Sequence, residues 1–344
     1  MCIRDSQYSL GKTTDNYLWM WGAQHQGRIP TGSSLTSDRS SPVQIGTYFD
    51  TSQEMISYAA TNGSQINYWT QLDPGYVSLD GPSFGINNQG QLLVWGAATA
   101  WRSGLGIETA LLSVPTIIGN DSWTTVSAGD SRTLAIRSDG GLFAWGLNSE
   151  GQLGFNDTVF RSSPVQVGTS SWSMVLTDLN HTLAIRSDGT LFAWGRGVNG
   201  QLGDMSSISK SSPIQIGTDQ WIKLGITNST SFAIRNDNLL FVWGDSQQGI
   251  TGLASNFNRS SPVQVGTSSW TNISGGRQHA VALRSDGSVF AWGFNSDGQL
   301  GDLSVISKSS PIQIGTGSWI SVTAGQEFIA AVSSANKLFA WGKN

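Results

Sequence analysis

A tryptophan–glycine pair recurs along the 344-residue chain at a nearly constant spacing, and this repeat limits the possible folds. The seven pairs begin at Trp21, Trp95, Trp145, Trp194, Trp243, Trp292 and Trp341, at intervals of 74, 50, 49, 49, 49 and 49 residues. A second series precedes the pairs at Trp69, Trp123, Trp172, Trp221, Trp270 and Trp319. A fixed period of this length is typical of solenoids, propellers and repeat arrays.

One repeat contains four short strand-like segments, named A to D in chain order. Segment A follows Trp172, segment B covers residues 181–185, and segment C covers residues 191–195. Asp188-Gly189 between B and C is typical of a two-residue hairpin turn. Segment D covers residues 213–217 and opens with proline, which is tolerated at a sheet edge. Four short strands in about 49 residues predict one propeller blade rather than a pair of helices.

The hairpin turn makes a prediction that applies to every repeat. The residue five positions before each Trp-Gly tryptophan should adopt a positive φ. In chain order this residue is Asn16, Gly90, Gly140, Gly189, Asn238, Gly287 and Asn336. Glycine and asparagine are the residues that tolerate the left-handed region best. The agreement of all seven favours one repeated hairpin over seven unrelated loops.

These patterns predict an all-β chain folded as a seven-bladed β-propeller with four antiparallel strands per blade. We interpret residues 1–344 as a single propeller in which 7–46 form a partial first blade, 47–68 an insertion and 69–344 blades two to seven. Segment C occurs seven times, whereas A and D occur six times each. The first blade therefore lacks A and the last lacks its outer strand, D.

The first six residues need a separate interpretation. Residues 1–6 match the translation of a common sequencing-library adaptor, so we expect a cloning or assembly artefact and a chain truncated at its start. The alternative is a genuine N-terminus that pairs with the last blade and closes the ring.

Composition excludes several classes of function. The chain has 19 Lys and Arg against 23 Asp and Glu, a net charge of -4, which disfavours binding to nucleic acid through phosphate neutralisation. One cysteine excludes an internal disulfide framework and zinc sites built on several cysteines. No apolar run is long enough for a membrane-spanning helix. We predict no cofactor, and the compartment stays open between the cytoplasm and a virion or extracellular surface.

The candidate chemical groups are few, and the repeat accounts for most of them. His181 and His279 share one repeat position, which is filled elsewhere by Tyr8, Pro82, Arg132, Thr230 and Phe328. A position that accepts these side chains indicates packing at a strand start rather than metal binding. His25 lies alone in a loop, without the further ligands that a zinc site needs. We therefore predict no catalytic and no metal residues.

Four arginines precede the hairpin turns, each two residues before an aspartate. They are Arg137, Arg186, Arg235 and Arg284, followed by Asp139, Asp188, Asp237 and Asp286. The pairs could form a charged crown on one face, but neighbouring carboxylates offset the positive charge. We therefore expect a solvated rim rather than an anion-binding crown.

The repeat resembles the regulator of chromosome condensation repeat family, a seven-bladed propeller superfamily that includes a β-lactamase inhibitor. The resemblance rests on Gly276-x-x-His279, Asp286-Gly287, Ala291-Trp292-Gly293 and the loop from Asn295 to Gly301. It covers essentially residues 7–344. It implies a rigid ring that binds another protein by one face. The tryptophan of the ultraviolet-B photoreceptor motif is absent from residues 275–279, which argues against that role.

The insertion at residues 47–68 is the main irregular feature of the repeat. It carries aromatic, methionine and acidic side chains that suit a protein interface. The insertion connects segment D of the first repeat to segment A of the second, so we expect it on the face that carries the B–C hairpins. We predict partner contact there through Tyr48, Phe49, Asp50, Glu54, Met55, Tyr58 and Tyr68.

The sequence thus favours a non-enzymatic scaffold, a monomeric ring that binds a protein of unknown identity by one face. One alternative is guanine-nucleotide exchange on a small GTPase. Another is a virion or cell-surface adhesin that binds glycan or a host protein, with Trp101 and Tyr48 as candidate glycan contacts.

Overall fold

The computed structural model describes residues 8–12, 18–22, 39–44, 69–73, 81–96, 101–107 and 112–343. These residues form 23 β-strands and one short 3-10 turn at Gln247–Gly249. The strands are β1 (Tyr8–Lys12), β2 (Leu18–Gly22), β3 (Arg39–Gln44), β4 (Trp69–Asp73), β5 (Pro82–Asn87), β6 (Leu92–Gly96), β7 (Leu112–Ile117), β8 (Trp123–Ala128), β9 (Arg132–Arg137), β10 (Gly141–Gly146), β11 (Arg161–Thr177), β12 (His181–Arg186), β13 (Thr190–Gly195), β14 (Lys210–Ile226), β15 (Thr230–Arg235), β16 (Leu239–Gly244), β17 (Arg259–Gly275), β18 (His279–Arg284), β19 (Val289–Gly293), β20 (Lys308–Gln313), β21 (Trp319–Ala324), β22 (Phe328–Ser333) and β23 (Leu338–Gly342).

The strands pair antiparallel with their neighbours in chain order, as a meander requires. They form a three-stranded sheet of β1 to β3, a four-stranded sheet of β4 to β7, a 13-stranded sheet of β8 to β20, and a three-stranded sheet of β21 to β23. The predicted all-β class is confirmed for the described part of the chain. Within those residues, no helix is long and apolar enough to cross a membrane.

Segments D and A differ from the sequence expectation of two separate short strands. In β11, β14 and β17, segment D of one repeat and segment A of the next form a single 17-residue strand. This continuity joins successive sheets into the 13-stranded one. Pro213 lies within β14 where the pairing with β13 is irregular, between Ala193↔Ile214 and Gly195↔Lys210. A missing N–H is tolerated at such an irregularity, so this proline does not mark a strand start.

The hairpin turns have the predicted backbone conformation wherever the structure describes them. The turn residues Gly90, Gly140, Gly189, Asn238, Gly287 and Asn336 have φ values between 58° and 87°. Asn16, the remaining member of this series, lies outside the described residues. The turn fixes the register, which in the β12–β13 hairpin pairs Thr182 with Trp194.

The Trp-Gly tryptophans hold successive repeats together. The ring of Trp243 is fully buried, and its Nε1 donates to the carbonyl of Gln201 in the preceding repeat at 2.8 Å. Trp145, Trp194 and Trp292 make the equivalent bond to Arg102, Gln152 and Ile250 at 2.8–3.0 Å. Each such tryptophan therefore packs its ring in the core and satisfies its polar atom across a repeat boundary.

The second tryptophan series completes the core within each repeat. Trp221 lies edge-on to Phe241, with ring centroids 5.3 Å apart, and tilts against Trp243 at 6.4 Å. The same pair geometry occurs around Trp123, Trp172, Trp270 and Trp319. Edge-to-face contacts of this kind add about 0.5–1.5 kcal/mol beyond the burial of area.

Candidate partner-binding surface

The two ends of the strands form two distinct surfaces. The hairpin face carries the B–C turns and the D–A crossings, as shown by the Trp221 N–H, which donates to the carbonyl of Gly189 at 2.8 Å. The loop face carries the short A–B loops and the C–D loops, four of which have 14 residues, at 147–160, 196–209, 245–258 and 294–307. There the Arg196 N–H donates to the carbonyl of Asn180 at 2.8 Å.

The sequence predicts the insertion on the hairpin face. Tyr48, Phe49, Asp50, Glu54, Met55, Tyr58 and Tyr68 all lie outside the described residues. Their role stays a prediction.

On the hairpin face, the arginine series is neutralised within each repeat. Arg137 and Arg235 form ion pairs with Asp139 and Asp237 at 2.6 and 2.7 Å, and Arg284 pairs with Asp286 at 3.4 Å. Arg186 pairs closely with Asp188. The guanidinium groups also stack 4.8–5.3 Å above the ring centroids of Phe143, Phe192, Phe241 and Phe290. Each guanidinium group thus already has an aspartate and an aromatic partner in its own repeat, as expected for a solvated rim.

The aspartates of these pairs stay ionised over a wide pH range. A hydrogen bond from Arg137, supported by the Gly141 N–H, lowers the pKa of Asp139 to about 2. Hydrogen bonds from Arg186 and Thr190 likewise lower the pKa of Asp188. The hairpin face thus presents paired charges of both signs at neutral pH.

The loop face contains the buried polar side chains of the repeat position shared by the histidines. His181 is fully buried, and its Nε2 lies 3.0 Å from Ser231 Oγ in the next repeat. That hydroxyl donates to the carbonyl of Gln201 at 2.7 Å, so His181 Nε2 is the donor in their bond. Arg132, at the equivalent position of the preceding repeat, likewise bonds to the repeat that follows it. Its guanidinium donates to the carbonyls of Leu179 and His181. These contacts agree with the predicted packing role.

Burial sets the charge of both histidines. Burial, and to a smaller extent the charge of Arg132, lowers the pKa of His181 to about 3. Burial lowers the pKa of His279 to about 4, against the opposing effect of its hydrogen bond to the carbonyl of Phe328. Both rings are therefore neutral in the folded protein at pH 7. Within the described residues, no group of three or more His, Cys, Asp or Glu is placed to hold a metal ion.

Acid should destabilise the fold through these two histidines. An unfolded histidine titrates near pH 6.5. Below that pH both histidines are therefore protonated in the unfolded chain. In the folded chain they become protonated only near pH 4 for His279 and near pH 3 for His181. We expect the free energy of unfolding to fall by up to about 1.4 kcal/mol per pH unit for each histidine between about pH 6 and pH 4. Urea titrations followed by tryptophan fluorescence measure this slope.

A double variant provides the control for this pH dependence. His181→Thr with His279→Phe installs the residues that Thr230 and Phe328 already place at the equivalent position. Its unfolding free energy should change much less across the same pH window. An equal slope in both proteins would contradict the assignment to the histidines.

The C–D loops carry most of the exposed apolar side chains. Eleven of the sixteen exposed large hydrophobic residues among those described lie in these loops: Ile107, Leu147, Val159, Phe160, Val198, Met205, Ile208, Phe257, Leu303, Val305 and Ile306. Trp101, a candidate glycan contact in the sequence, is half-buried and stacks on Phe160 with centroids 5.8 Å apart. Clustered exposed apolar residues of this kind mark interaction surfaces.

The backbone of these loops has an unusual conformation at one repeat position. Met205 and Leu303 have φ values of 62° and 61°. At the same position, the other repeats have Gly106, Asn156 and Ala254. The Met205 N–H donates to the carbonyl of Ser260 in the next repeat at 2.7 Å, and this bond fixes the conformation. A bulky residue in this region is strained, and such strain often occurs at functional positions. Sequence patterns did not predict it.

A polar recess lies nearer the A–B loops. Its volume is about 240 Å³, and Asn180, Arg196, Asp245 and Arg277 contribute to its lining. Arg277 pairs with Glu327 at 3.6 Å. The recess offers hydrogen bonds and charges rather than an apolar cavity.

Comparison with known proteins assigns the family. The model of the RCC1-like domain matches residues 80–344, which is most of the chain. The chain belongs to the RCC1-like domain family. The resemblance predicted from the repeat is therefore confirmed, and with it a β-propeller built of RCC1 repeats.

Curated relatives match over part of this domain. The X-linked retinitis pigmentosa GTPase regulator of Canis lupus familiaris is 33% identical over 147 residues, which are 43% of this chain and 13% of the relative. The probable E3 ubiquitin-protein ligase HERC6 of Homo sapiens is 31% identical over 153 residues, 44% of this chain and 13% of the relative. The chain spans less than a fifth of the length of the curated relatives it matches.

Solved structures show the same fold at low identity. Human WBSCR16 superimposes with a TM-score of 0.80 at 19% identity, over 96% of this chain and 86% of that one. Prp20p of Saccharomyces cerevisiae gives a TM-score of 0.78 at 18% identity, over 97% of this chain and 83% of that one. The structure of Prp20p was described together with its binding properties to Gsp1p and histones.

Proposed function

We propose that this RCC1-like domain is a non-enzymatic scaffold that binds a partner protein on its loop face. The observation that carries the proposal is the concentration of exposed apolar side chains on the C–D loops. The framework beneath these loops has structural roles, because side chains such as Trp243 and His181 are buried and form hydrogen bonds across repeat boundaries. Loops on a rigid framework are the usual site of recognition.

The proposal includes a closed ring of seven four-stranded blades. The seven copies of the Trp-Gly segment support this count, as does the register of the described hairpins. Closure would hold the C–D loops at fixed angles around one rim. A rigid rim lowers the entropy lost when a partner binds.

Affinity capture with three baits tests the function. The baits are the intact chain, a loop-face variant with Met205, Phe257 and Leu303 changed to serine, and an insertion variant with residues 48–67 replaced by Gly-Ser. We expect a partner that the loop-face variant loses and the insertion variant retains. Loss only with the insertion variant would place binding on the predicted residues Tyr48 to Tyr68 instead. Capture of no partner by the intact chain would contradict the scaffold function.

Nucleotide exchange on a small GTPase is the second candidate. It is supported by the GTPase regulator among the relatives and by the Gsp1p binding described for Prp20p. It predicts faster release of labelled GDP from a purified GTPase in the presence of the chain. Unchanged release across a panel of small GTPases would remove this candidate and leave the scaffold proposal intact.

A further inference from the structure

One cation on the loop face lacks the carboxylate partner that its repeat equivalents have. Arg161, Lys210 and Lys308 are the first residues of β11, β14 and β20 and pair with Asp157, Asp204 and Asp302 at 2.7, 3.5 and 3.1 Å. Arg259 occupies the same position at the start of β17 but forms no ion pair with any residue that the structure describes.

The sequence explains why this repeat differs. The positions of the missing carboxylates hold Leu253 and Ser255. Ser255 Oγ accepts a long hydrogen bond of 3.4 Å from Arg259 Nη2. The Nε of Arg259 is buried and finds no acceptor among the described residues. The Arg259 side chain as a whole is only half-buried, and without a carboxylate in its own repeat it favours binding of an anionic group from outside the repeat.

Two exposed apolar residues lie close to this cation along the backbone. Phe257, two residues before Arg259, is 76% exposed. Met205, 83% exposed, lies in the loop whose backbone bonds to Ser260, the residue after Arg259. Methionine adapts its shape to varied apolar partners. Because its left-handed backbone is fixed by that bond, Met205 projects outward despite the strain.

A shallow depression continues the surface into the next repeat. It has a volume of about 470 Å³ and is lined by Gln247, Gln248, Gly249, Asn256, Ser307 and Ser309. Its polar side chains suit the hydrogen-bonding groups of an extended peptide backbone. Phe257 and Ile306, each next to a lining residue, add apolar contacts at its edge.

We infer that this surface, formed by Met205, Phe257, Arg259 and the depression, binds a peptide segment with a carboxylate flanked by apolar side chains. The carboxylate pairs with Arg259, and the apolar side chains pack on Met205 and Phe257. A single cation at this surface, on a chain of net charge -4, is too little for a nucleic-acid backbone. The inference deepens the proposed scaffold function and rests on it.

A displayed random-peptide library tests the specificity directly. The library is selected on the intact chain, and a synthetic consensus peptide is then measured by fluorescence anisotropy. We expect enrichment of sequences with Asp or Glu between apolar residues. Arg259→Ala should weaken binding of the consensus peptide by about tenfold to a hundredfold, as for loss of a charge-assisted hydrogen bond. Arg161→Ala, at the same repeat position but in another part of the rim, should leave binding unchanged.

Two further variants separate recognition from folding. Met205→Gly relieves the left-handed strain, so the melting temperature should stay the same or rise while peptide affinity falls. Arg259→Glu should restore binding to a peptide in which the acidic residue is replaced by lysine. Peptides without a carboxylate, or binding that Arg259→Ala leaves unchanged, would overturn the inference.

The remaining outcomes distinguish other occupants and the wider function. Concentration-dependent dimerisation in sedimentation velocity, lost with Arg259→Glu, would assign the surface to a second copy of the chain and overturn the peptide inference. Capture of a partner through the loop face with no enrichment of acidic peptides would overturn the inference alone, because the scaffold function would stand.

Discussion

Trp243→Ala should lower the free energy of unfolding by about 3–5 kcal/mol, the range for removing a large buried aromatic side chain. The ring is fully buried in a cluster with Leu202 and Trp221. Its loss also leaves the Gln201 carbonyl without the 2.8 Å bond from Trp243 Nε1. Because both effects act at the boundary between two repeats, the change weakens their coupling as well as one core. The shift of the urea unfolding midpoint measures it.

Phe257→Ala is the matched control for this substitution. Phe257 is an aromatic residue of the same repeat, but its side chain is largely exposed. Its removal should change the free energy of unfolding by no more than about 0.5 kcal/mol. Similar losses from both variants would contradict the assignment of stability to the buried tryptophan series.

Gly203→Ala should be the second most damaging change, with a loss of about 2–5 kcal/mol. Gly203 has φ of 82°, and a Cβ there would lie 2.8 Å from Trp243 Nε1. The backbone conformation costs roughly 1–2 kcal/mol for a residue with a side chain, and overpacking adds about 1–3 kcal/mol. The effect is visible in the same urea titration.

Gly217→Ala separates the two causes. Gly217 has φ of 62°, and a Cβ there would meet no atom within 4 Å. Only the cost of the backbone conformation remains, so the expected loss is about 1–2 kcal/mol. If Gly203→Ala cost no more than Gly217→Ala, close packing against Trp243 would not explain the glycine at position 203.

The sequence predicted those features that depend on one residue type repeated at one position. The positive φ of Gly189 and Asn238 followed from the tolerance of these residues for that conformation. The packing of His181 followed from a position that also accepts Thr230 and Phe328. In each case the repeat supplied several independent examples of the same environment.

Other features depend on contacts between strands and between repeats, which the order of residues does not show. Pro213 indicated a strand start, yet the bulge allows β14 to run through it. Met205 has a side chain that disfavours its left-handed backbone, so propensity predicts the wrong conformation. A hydrogen bond to the neighbouring repeat outweighs that propensity.

The candidate surface could be predicted from the sequence only in part. The missing partner of Arg259 can be recognised by aligning Leu253 and Ser255 with the aspartates of the other repeats. Its significance becomes visible only when the structure shows that Asp157, Asp204 and Asp302 form ion pairs. Only the structure shows that the side chains of Phe257 and Met205 are exposed. An apolar residue of a C–D loop can also pack against a neighbour, as Phe160 does by stacking on Trp101.

Hydrogen–deuterium exchange of the chain with and without its captured partner tests the central claim most directly. Binding on the loop face predicts slower exchange in the C–D loops at residues 196–209, 245–258 and 294–307, with the hairpin turns at 187–189 and 236–238 unchanged. Protection of those turns in place of the loops would contradict binding on the loop face.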